Sequence, residues 1–125
     1  MRGITLDAGA LIALDRRDRR VVALLAHAQA TAARITIPAT AFAQVIRVPA
    51  RQALLCRLIR HPGTDLVPLD GVQATAVGLL LARSKTFEVV DAHVVLCARR
   101  VSQAILTSDP EDLRRIAPDL KLIRC

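Results

Sequence analysis

Apolar residues follow two alternating patterns along the chain. Short apolar runs, typical of buried strands, alternate with longer segments in which apolar residues recur every three or four positions, as in amphipathic helices. The short runs predict strands at 3–7, 34–37, 66–69, 104–107 and 120–123. The longer segments predict helices at 11–14, 19–33, 39–48, 50–60, 71–84, 90–102 and 108–116. This alternation indicates an α/β fold with a central parallel sheet covered on both faces, although it does not give the strand order.

Helix-breaking and capping residues predict several of the element ends. Pro49 ends one helix because proline cannot continue it, and Pro62 with Gly63 predicts a turn. Asp70 is a predicted N-cap for the helix that follows it. The predicted inward side of helix 19–33 consists of Val22, Leu25, Ala26 and Ala33.

Length and composition predict one compact domain over residues 1–125. Hydrophobic residues make up 53% of the chain, which is enough for a buried core and argues against disorder. The chain has two Phe and no Trp or Tyr, so the core is expected to consist of Ala, Val, Leu and Ile. Single-strand binding by base stacking on Trp or Tyr is thereby excluded.

The charge balance favours a polyanionic partner. The formal net charge is +7, and 16 of the 18 basic residues are Arg, which binds phosphate in a bidentate manner. A basic surface attracts polyanions, and we expect nucleic acid as the partner class. An alternative is that the abundance of Arg and Ala only reflects a GC-rich genome.

The cysteines and the apolar segments point to a reducing compartment. Cys56, Cys97 and Cys125 lack the spacing of a zinc site, and the first two are expected to be buried in helices. Strand 3–7 follows the first residues directly, so no signal peptide is predicted. The longest apolar stretch, 72–82, is too short to span a bilayer. We therefore expect a cytoplasmic protein that does not associate with membranes.

Four acidic residues occur where a parallel sheet would bring them together. Asp7 ends the first predicted strand, Asp109 follows the fourth, and Glu88 and Asp91 lie three residues apart where an apolar helix begins. Ligand sites of open α/β sheets collect at the carboxyl ends of the strands. Carboxylates in such a cluster repel one another unless a cation binds, and Mg²⁺ and Mn²⁺ prefer oxygen ligands. The sequence therefore predicts a metal site in an otherwise basic protein.

Each of these acids also has an ordinary structural interpretation. Asp7 and Asp91 occupy positions where an Asp commonly caps a helix. Asp91, however, shares a face with Val94, Val95 and Ala98, and a carboxylate at the edge of a buried face needs a partner. For Glu88, which is predicted to lie in a loop, the alternative is a solvated surface position.

The segment after the fourth strand allows two assignments. Asp109 precedes Pro110, which is typical of a helix start, and Asp109 is the obvious cap. Capping by Ser108 would instead leave Asp109 for a metal. One turn later, Asp112 either approaches the same site or pairs with Arg115.

Together these residues give a family resemblance over essentially the whole chain. Segments 6–14, 89–93 and 106–109 resemble the motifs of PIN-domain ribonucleases, especially the VapC-like toxins of VapBC toxin–antitoxin pairs. The resemblance implies a three-layer α/β/α fold with a central parallel sheet. It also implies that Asp7, Asp91 and Asp109 hold Mg²⁺ or Mn²⁺ or position water. The implied reaction is endoribonuclease cleavage that leaves a 5′-phosphate and a 3′-hydroxyl.

The chain departs from the family at Gln44, where the family usually has a Glu. An amide oxygen can bind a metal or its water, but it carries no charge, so metal affinity should fall. Glu88 is the nearest acid in sequence to Asp91, and we hypothesise that it takes over part of this role. The alternative is a catalytically weakened or inactive PIN-like module that binds RNA or an antitoxin.

Basic residues near the motifs are candidate ligands for substrate phosphates. They are Arg47, Arg51, Arg83 and Lys85, and for each the alternative is an ordinary solvated position. His93 is left out of the predicted site because metal-assisted hydrolysis of this kind needs no histidine.

The resemblance also implies protein partners, namely a small antitoxin and a second copy of the chain. The apolar residues 54, 55, 58 and 59 are a candidate dimer face, with the core as the alternative. Another enzyme class, a phosphohydrolase or a phospho-accepting receiver domain, remains as a competing interpretation. A receiver is disfavoured because Asp7 is followed by Ala8 and the late Lys121 falls in a predicted strand. No glycine-rich nucleotide-binding motif is present.

Overall fold

A sheet of five parallel strands forms the middle layer of the molecule. The computed structural model describes residues 3–125. The strands are β1 (Gly3–Leu6), β2 (Arg34–Pro38), β3 (Thr64–Val67), β4 (Ala104–Thr107) and β5 (Leu122–Arg124). Their order across the sheet is β3-β2-β1-β4-β5, and every neighbouring pair is parallel. This confirms the predicted α/β class and supplies the strand order.

Seven helices cover the two faces of the sheet in the described part of the chain. They are α1 (Ala8–Asp15), α2 (Arg19–Ala30), α3 (Ala39–Val45), α4 (Ala53–Arg60), α5 (Gly71–Ser84), α6 (Val89–Val101) and α7 (Pro110–Ile116). α1, α2 and α4 pack on one face, and α6 packs on the other with α5 and α7 beside it. The predicted three-layer α/β/α architecture is therefore confirmed. None of the helices in 3–125 combines the length and the apolar character needed to cross a membrane.

The sheet centre forms a core of branched aliphatic side chains. Ile4, Leu6, Ile35, Ile37 and Ile105 are all 0% exposed. A parallel strand with helices on both faces must be apolar on both sides, which explains why the strands read as short continuous runs. The core is aliphatic, as the composition predicts.

The strand order places a topological switch point between β1 and β4. From β1 the chain passes through α1 and α2 to β2 on one side, and it returns to β4 on the other side of β1. Because α1 and α7 leave for opposite faces, a crevice opens at the carboxyl ends of β1 and β4. Asp7 and Asp109, which follow these two strands, therefore lie at its edges.

Several helix ends differ from their predicted positions. α1 begins at Ala8 rather than Leu11, because the side chain of Asp7 caps it. α2 ends at Ala30, and Ala32 adopts a left-handed conformation with φ 57°. Nothing in the Ala-rich sequence signals this stop. The predicted cap of α5 is confirmed, since the Asp70 carboxylate accepts a hydrogen bond from the backbone N–H of Gln73 at 2.8 Å.

The segment between α3 and α4 is fixed by one buried amide. Gln52, which is 8% exposed, accepts hydrogen bonds from the backbone N–H groups of Arg47 and Val48 at 2.7 and 2.9 Å. Its own amide donates to the carbonyl oxygen of Val45 at 2.9 Å. α3 therefore stops at Val45 rather than at residue 48, because the side chain of Gln52 replaces the next helical partners. A short 3₁₀ turn, Pro49–Arg51, leads into α4.

Three predictions about burial are wrong. On α2 the buried residues are Val21, Leu25 and Ala28, whereas Val22 is 38% exposed and Ala26 is exposed as well. Cys97 is buried as predicted, but Cys56 is only half-buried.

The candidate dimer face is also corrected by the structure. Leu55 and Leu58 belong to the core, at 0% and 4% exposure, and Leu54 and Ile59 pack against it. The core alternative therefore holds for Leu55 and Leu58, whereas Leu54 and Ile59 remain partly exposed.

We expect Gln52→Ala to lower the free energy of unfolding by about 2 kcal/mol, because it leaves backbone groups without their partners. Urea unfolding followed by circular dichroism measures this difference. Gln29→Ala on α2 is the matched control, because Gln29 is half-buried and accounts for none of these bonds; it should change stability by less than about 0.5 kcal/mol. Equal losses in the two variants would contradict the proposed role of Gln52.

Candidate active site

Asp7 lies at the end of β1, in contact with β4. Its backbone N–H donates to the carbonyl oxygen of Leu106 at 3.2 Å, and the residue is 6% exposed. Its Oδ1 accepts a hydrogen bond from the backbone N–H of Ala10 at 2.8 Å, so Asp7 does cap α1. A carboxylate has two oxygens and several lone pairs, so capping leaves room for a second ligand.

Asp109 occupies the corresponding place after β4, but it does not cap the helix that follows. Its side chain makes no capping hydrogen bond to α7, and its backbone N–H donates to the hydroxyl oxygen of Thr107 at 2.9 Å. Ser108, the other predicted cap, is not the capping residue of α7 either. The carboxylate of Asp109 is therefore not occupied as a cap.

Gly9 sets how closely the two loops approach each other. A Cβ atom at this position would lie 1.9 Å from Ser108 Oγ and 3.0 Å from Ser108 Cβ. It would also lie 3.4 Å from Oδ1 of Asp7. The loop after β4 can thus lie against the start of α1 only because residue 9 has no side chain.

Asp91 enters the crevice from the first turn of α6. Val94, Val95 and Ala98, which share its face, are each 0% exposed, so the predicted buried face is confirmed. This packing on the sheet fixes the position of Asp91, which itself is only partly buried.

Asp91 is the electrostatic centre of the crevice. Burial, which is the largest cause, and the negative charges of Asp7, Asp112, Glu88 and Asp109, in that order of strength, together raise the pKa of its carboxyl group to about 6. All the acids that the sequence singles out therefore act on one side chain. Such a concentration of negative charge is costly in the absence of a cation.

Two further carboxyl groups have raised pKa values. Burial raises the pKa of Asp7, against the opposing effects of the Thr107 hydroxyl and the Ala10 N–H, and Asp109 adds to the increase. A hydrogen bond with Asp109 raises the pKa of the exposed Asp112, and the charge of Asp109 acts in the same direction. Asp112 thus approaches Asp109, although Arg115 also acts on it.

The donor atoms of this crevice suit a hard divalent cation, because they are carboxylate oxygens without sulfur or imidazole ligands. Within 3–125 no three acidic, His or Cys side chains are arranged as a ready coordination group. The carboxylates therefore act on one another through their charges, but they are not arranged as a complete set of metal ligands. Side-chain rotation would bring their oxygens together around a bound ion. On donor chemistry and charge, the residues fit Mg²⁺ or Mn²⁺.

Gln44, which stands where the family has a Glu, and Glu88, which is proposed to compensate for it, belong to different helices. Gln44 is exposed near the end of α3, and its amide makes no hydrogen bond within the described chain. Glu88 is the N-cap residue of α6 rather than part of a free loop, and it makes no side-chain capping bond. Its charge acts on both Asp91 and Asp112.

The four predicted phosphate ligands are not equivalent. Arg47 uses one guanidinium nitrogen to donate to the carbonyl oxygens of Ala43 and Ile46, at 2.8 and 2.7 Å, so it holds the end of α3. Arg51 is exposed on the 3₁₀ turn. Arg83 is exposed in the last turn of α5, and Lys85 ends that helix with φ 56°.

Sequence reasoning assigned no role to Thr107 or to His93. The hydroxyl of Thr107 contacts the carboxyl of Asp7 and the backbone of Asp109, and it thereby joins the two strand ends. His93 is fully buried and its Nδ1 lies 2.7 Å from the hydroxyl of Thr40, which connects α6 to α3; burial lowers its pKa. Only the position of Thr107 in the last motif segment signalled its role.

We expect Asp91→Asn to raise the melting temperature at about pH 8, by about 2–5 °C in EDTA, and to have little effect at about pH 4.5. The folded-state pKa of about 6 lies above the ordinary value of 3.8, so the folded protein binds more protons and loses stability as pH rises between these values. Thermal denaturation at both pH values measures this.

Asp65→Asn is the control for this experiment. The Arg34 guanidinium lowers the pKa of Asp65, so removing its charge should not raise the melting temperature at about pH 8. A gain for Asp91→Asn of equal size at both pH values would contradict the assignment of its pKa.

Comparison with known proteins agrees with this geometry. The PIN domain family model matches residues 4–118. Two solved structures share the fold. FitAcB from Neisseria gonorrhoeae has 18% sequence identity and a TM-score of 0.65, and the match covers 97% of this chain and 96% of that one. VapBC2 from Rickettsia felis, bound to a promoter DNA fragment, has 14% identity and a TM-score of 0.68, and the match covers 98% of both chains. No curated protein matches the sequence. With a family match over nearly its whole length, a switch-point crevice and acids at the three motif positions, the chain belongs to the PIN-domain family.

Proposed function

We propose that this protein is a metal-dependent endoribonuclease and the toxin of a type II toxin–antitoxin pair. One observation carries the proposal: four carboxylates from three segments of the chain act on Asp91 at the β1–β4 switch point. A structural role alone gives no reason for this arrangement, since each added charge disfavours the ionised form of its neighbours. The basic remainder of the chain supports a polyanionic substrate.

In this proposal Asp7, Asp91 and Asp109 hold the divalent cation. Bound Mg²⁺ or Mn²⁺ supplies charge neutralisation at the phosphodiester and makes a water molecule more acidic. Asp7 is held rigidly by the Ala10 N–H, while Asp91 is held by its buried helical face, so both orient water without large motions. Asp112 lies close to Asp109 and adds a further carboxylate at this edge of the crevice.

The reaction is hydrolysis of an RNA phosphodiester. The water oxygen forms a bond to phosphorus, the bond from phosphorus to the 3′-oxygen breaks, and the 3′-oxygen takes up a proton. The products carry a 5′-phosphate and a 3′-hydroxyl. No aromatic stacking is needed for this chemistry, which agrees with a chain that lacks Trp and Tyr.

The proposed partner is a small antitoxin protein, and the proposed compartment is the cytoplasm. The name VapBC in one matched structure is that of the pairs whose toxins the sequence motifs resemble. An apolar groove of about 270 Å³ between α2 and α4, lined in part by Val22, Leu25 and Leu54, offers a surface for a partner segment. A homodimer belongs to the same proposal, on a face other than the buried one of α4.

A second candidate function is an inactive PIN-like module that binds RNA or an antitoxin. The observation that favours it is Gln44, which is uncharged and exposed where the family has a Glu. The two functions differ in one measurable respect, because only the first requires metal-dependent cleavage.

We expect antitoxin-free protein to cleave a mixed RNA pool with Mg²⁺ or Mn²⁺ and not with EDTA. Asp7→Asn should lower the rate by about 100-fold or more, because it removes a charge from the site. Asn is also a good helix cap, so the fold should remain intact. Asp65→Asn, which removes an exposed acid on β3, is the matched control and should cleave like the parent. No cleavage by the parent with either metal would support the inactive module.

We expect substitutions of Gln44 and of Glu88 to change Mn²⁺ affinity in opposite directions. Gln44→Glu should tighten binding by about tenfold because it restores a charge, and Glu88→Ala should weaken binding by a similar factor. Isothermal titration calorimetry or Mn²⁺ paramagnetic resonance measures both. Glu111→Ala is the matched control, because Glu111 pairs with Arg114 and does not act on Asp91. Unchanged affinity in Glu88→Ala would remove the idea that Glu88 compensates for Gln44.

A further inference from the structure

Three arginines converge from α5, α6 and α7, the helices on the sheet face that carries Asp91. Arg83 of α5, Arg99 of α6 and Arg115 of α7 line a pocket of about 320 Å³, which we call the arginine pocket. Its remaining lining consists of Leu80, Ser84 and Ile116. The arginine pocket is distinct from the groove between α2 and α4.

The charge of the arginine pocket is mostly uncompensated. Among the ion pairs of residues 3–125, Arg99 contacts Asp119 at 2.8 Å through one nitrogen, while Arg83 and Arg115 take part in none. By contrast, Arg34 pairs with Asp65 on the neighbouring strand. Like charges that converge with fewer acids than bases repel one another, so an anion in this pocket is stabilising.

The floor of the pocket strengthens this attraction. Leu80 and Ile116 are 5% and 7% exposed, so the guanidinium groups lie over an apolar surface. The hydroxyl of Ser84 donates to the carbonyl oxygen of Leu80 at 3.0 Å, and it adds no charge to the pocket. A less polar surrounding reduces screening of the charges. Planar guanidinium groups match the oxygens of a phosphate.

Two of the pocket arginines lie on helices that also carry acids of the carboxylate crevice. Arg99 lies eight residues after Asp91 on α6, which is about 12 Å along the helix axis. Arg115 lies three residues after Asp112 on α7, and its charge lowers the pKa of that acid. An RNA strand that runs from the crevice along α6 would cover this distance with a few nucleotides.

The geometry points to a phosphate subsite: the arginine pocket binds a backbone phosphate of the RNA strand whose scissile bond lies at the carboxylate crevice. The inference rests on the proposed RNA substrate and adds how the strand is held. Of the predicted phosphate ligands only Arg83 belongs to this pocket, and Arg99 and Arg115 join it. Since the chain lacks Trp and Tyr and has only two Phe, we expect phosphate contacts to supply much of its affinity for RNA.

Binding measured without cleavage tests this subsite. The probe is a 5′-labelled single-stranded RNA of about 12 nucleotides, followed by fluorescence anisotropy in EDTA at about 50 and about 200 mM salt. The variants are Arg83→Gln and Arg115→Gln. The matched control is Arg60→Gln, an exposed arginine at the end of α4 that removes the same charge on the opposite face of the sheet.

We expect each pocket variant to bind about three- to tenfold more weakly at the lower salt concentration. Each should also reduce the slope of log affinity against log salt by about 0.7, the value for one lost phosphate contact on a single strand. Arg60→Gln should change the affinity by less than about twofold and leave the slope unchanged. Equal behaviour of the three variants would overturn the subsite.

A competition arm separates a strand phosphate from a free phosphate. Inorganic phosphate should displace the labelled RNA only at concentrations far above those of unlabelled RNA. Displacement by phosphate at concentrations as low as those of unlabelled RNA would overturn the strand assignment.

The outcome of this experiment is independent of catalysis. Weakened binding in the pocket variants, with no cleavage by the parent in either metal, would keep the subsite and reject the nuclease. Cleavage by the parent, with unchanged binding in the pocket variants, would keep the nuclease and reject the subsite.

Discussion

The pairing of β1 with β4 is the constraint on which the rest of the molecule depends. Leu6 lies opposite Leu106, and the next residue on each strand, Asp7 and Thr107, completes the meeting of the two ends. Because the chain departs from these strands toward opposite faces, no helix covers the space above them. The aliphatic core on both sides of β1 holds the two strands in register. The residues at the strand ends, which form the crevice, are therefore also held in fixed positions.

The carboxylates of the crevice lower the free energy of unfolding. The raised pKa values of Asp7, Asp91 and Asp112 mean that their ionised forms are disfavoured by the surrounding protein. The core supplies the stability against which this repulsion acts, since Val94, Val95 and Ala98 keep Asp91 in place despite its neighbours. This division is typical of functional sites, where charge placement opposes folding and packing compensates for it.

The sequence was sufficient for those features that depend on local patterns. The alternation of apolar runs and amphipathic segments gave the parallel α/β architecture, and the periodicity after Asp91 gave its buried face. Features that depend on distant residues were not accessible in this way. From the sequence, Gln52 is predicted to be an ordinary helix residue. Its hydrogen-bond partners at 45, 47 and 48 can be recognised only in the folded loop. The same applies to the convergence of arginines 83, 99 and 115, which come from three helices.

The contact between Gly9 and Ser108 shows how the width of the crevice is determined. The separation of the two acid-bearing loops is set by an atom that residue 9 lacks, since a single methyl group would overlap the side chain of Ser108. A methyl group there would force the Ser108 side chain to rotate and Ser108 Cβ to move by a few tenths of an ångström, which would shift the residue next to Asp109 away from α1. The repulsion among these carboxylates therefore depends on how closely the two loops pack. A substitution at Gly9, which alters no charge, can change the electrostatic potential at Asp91.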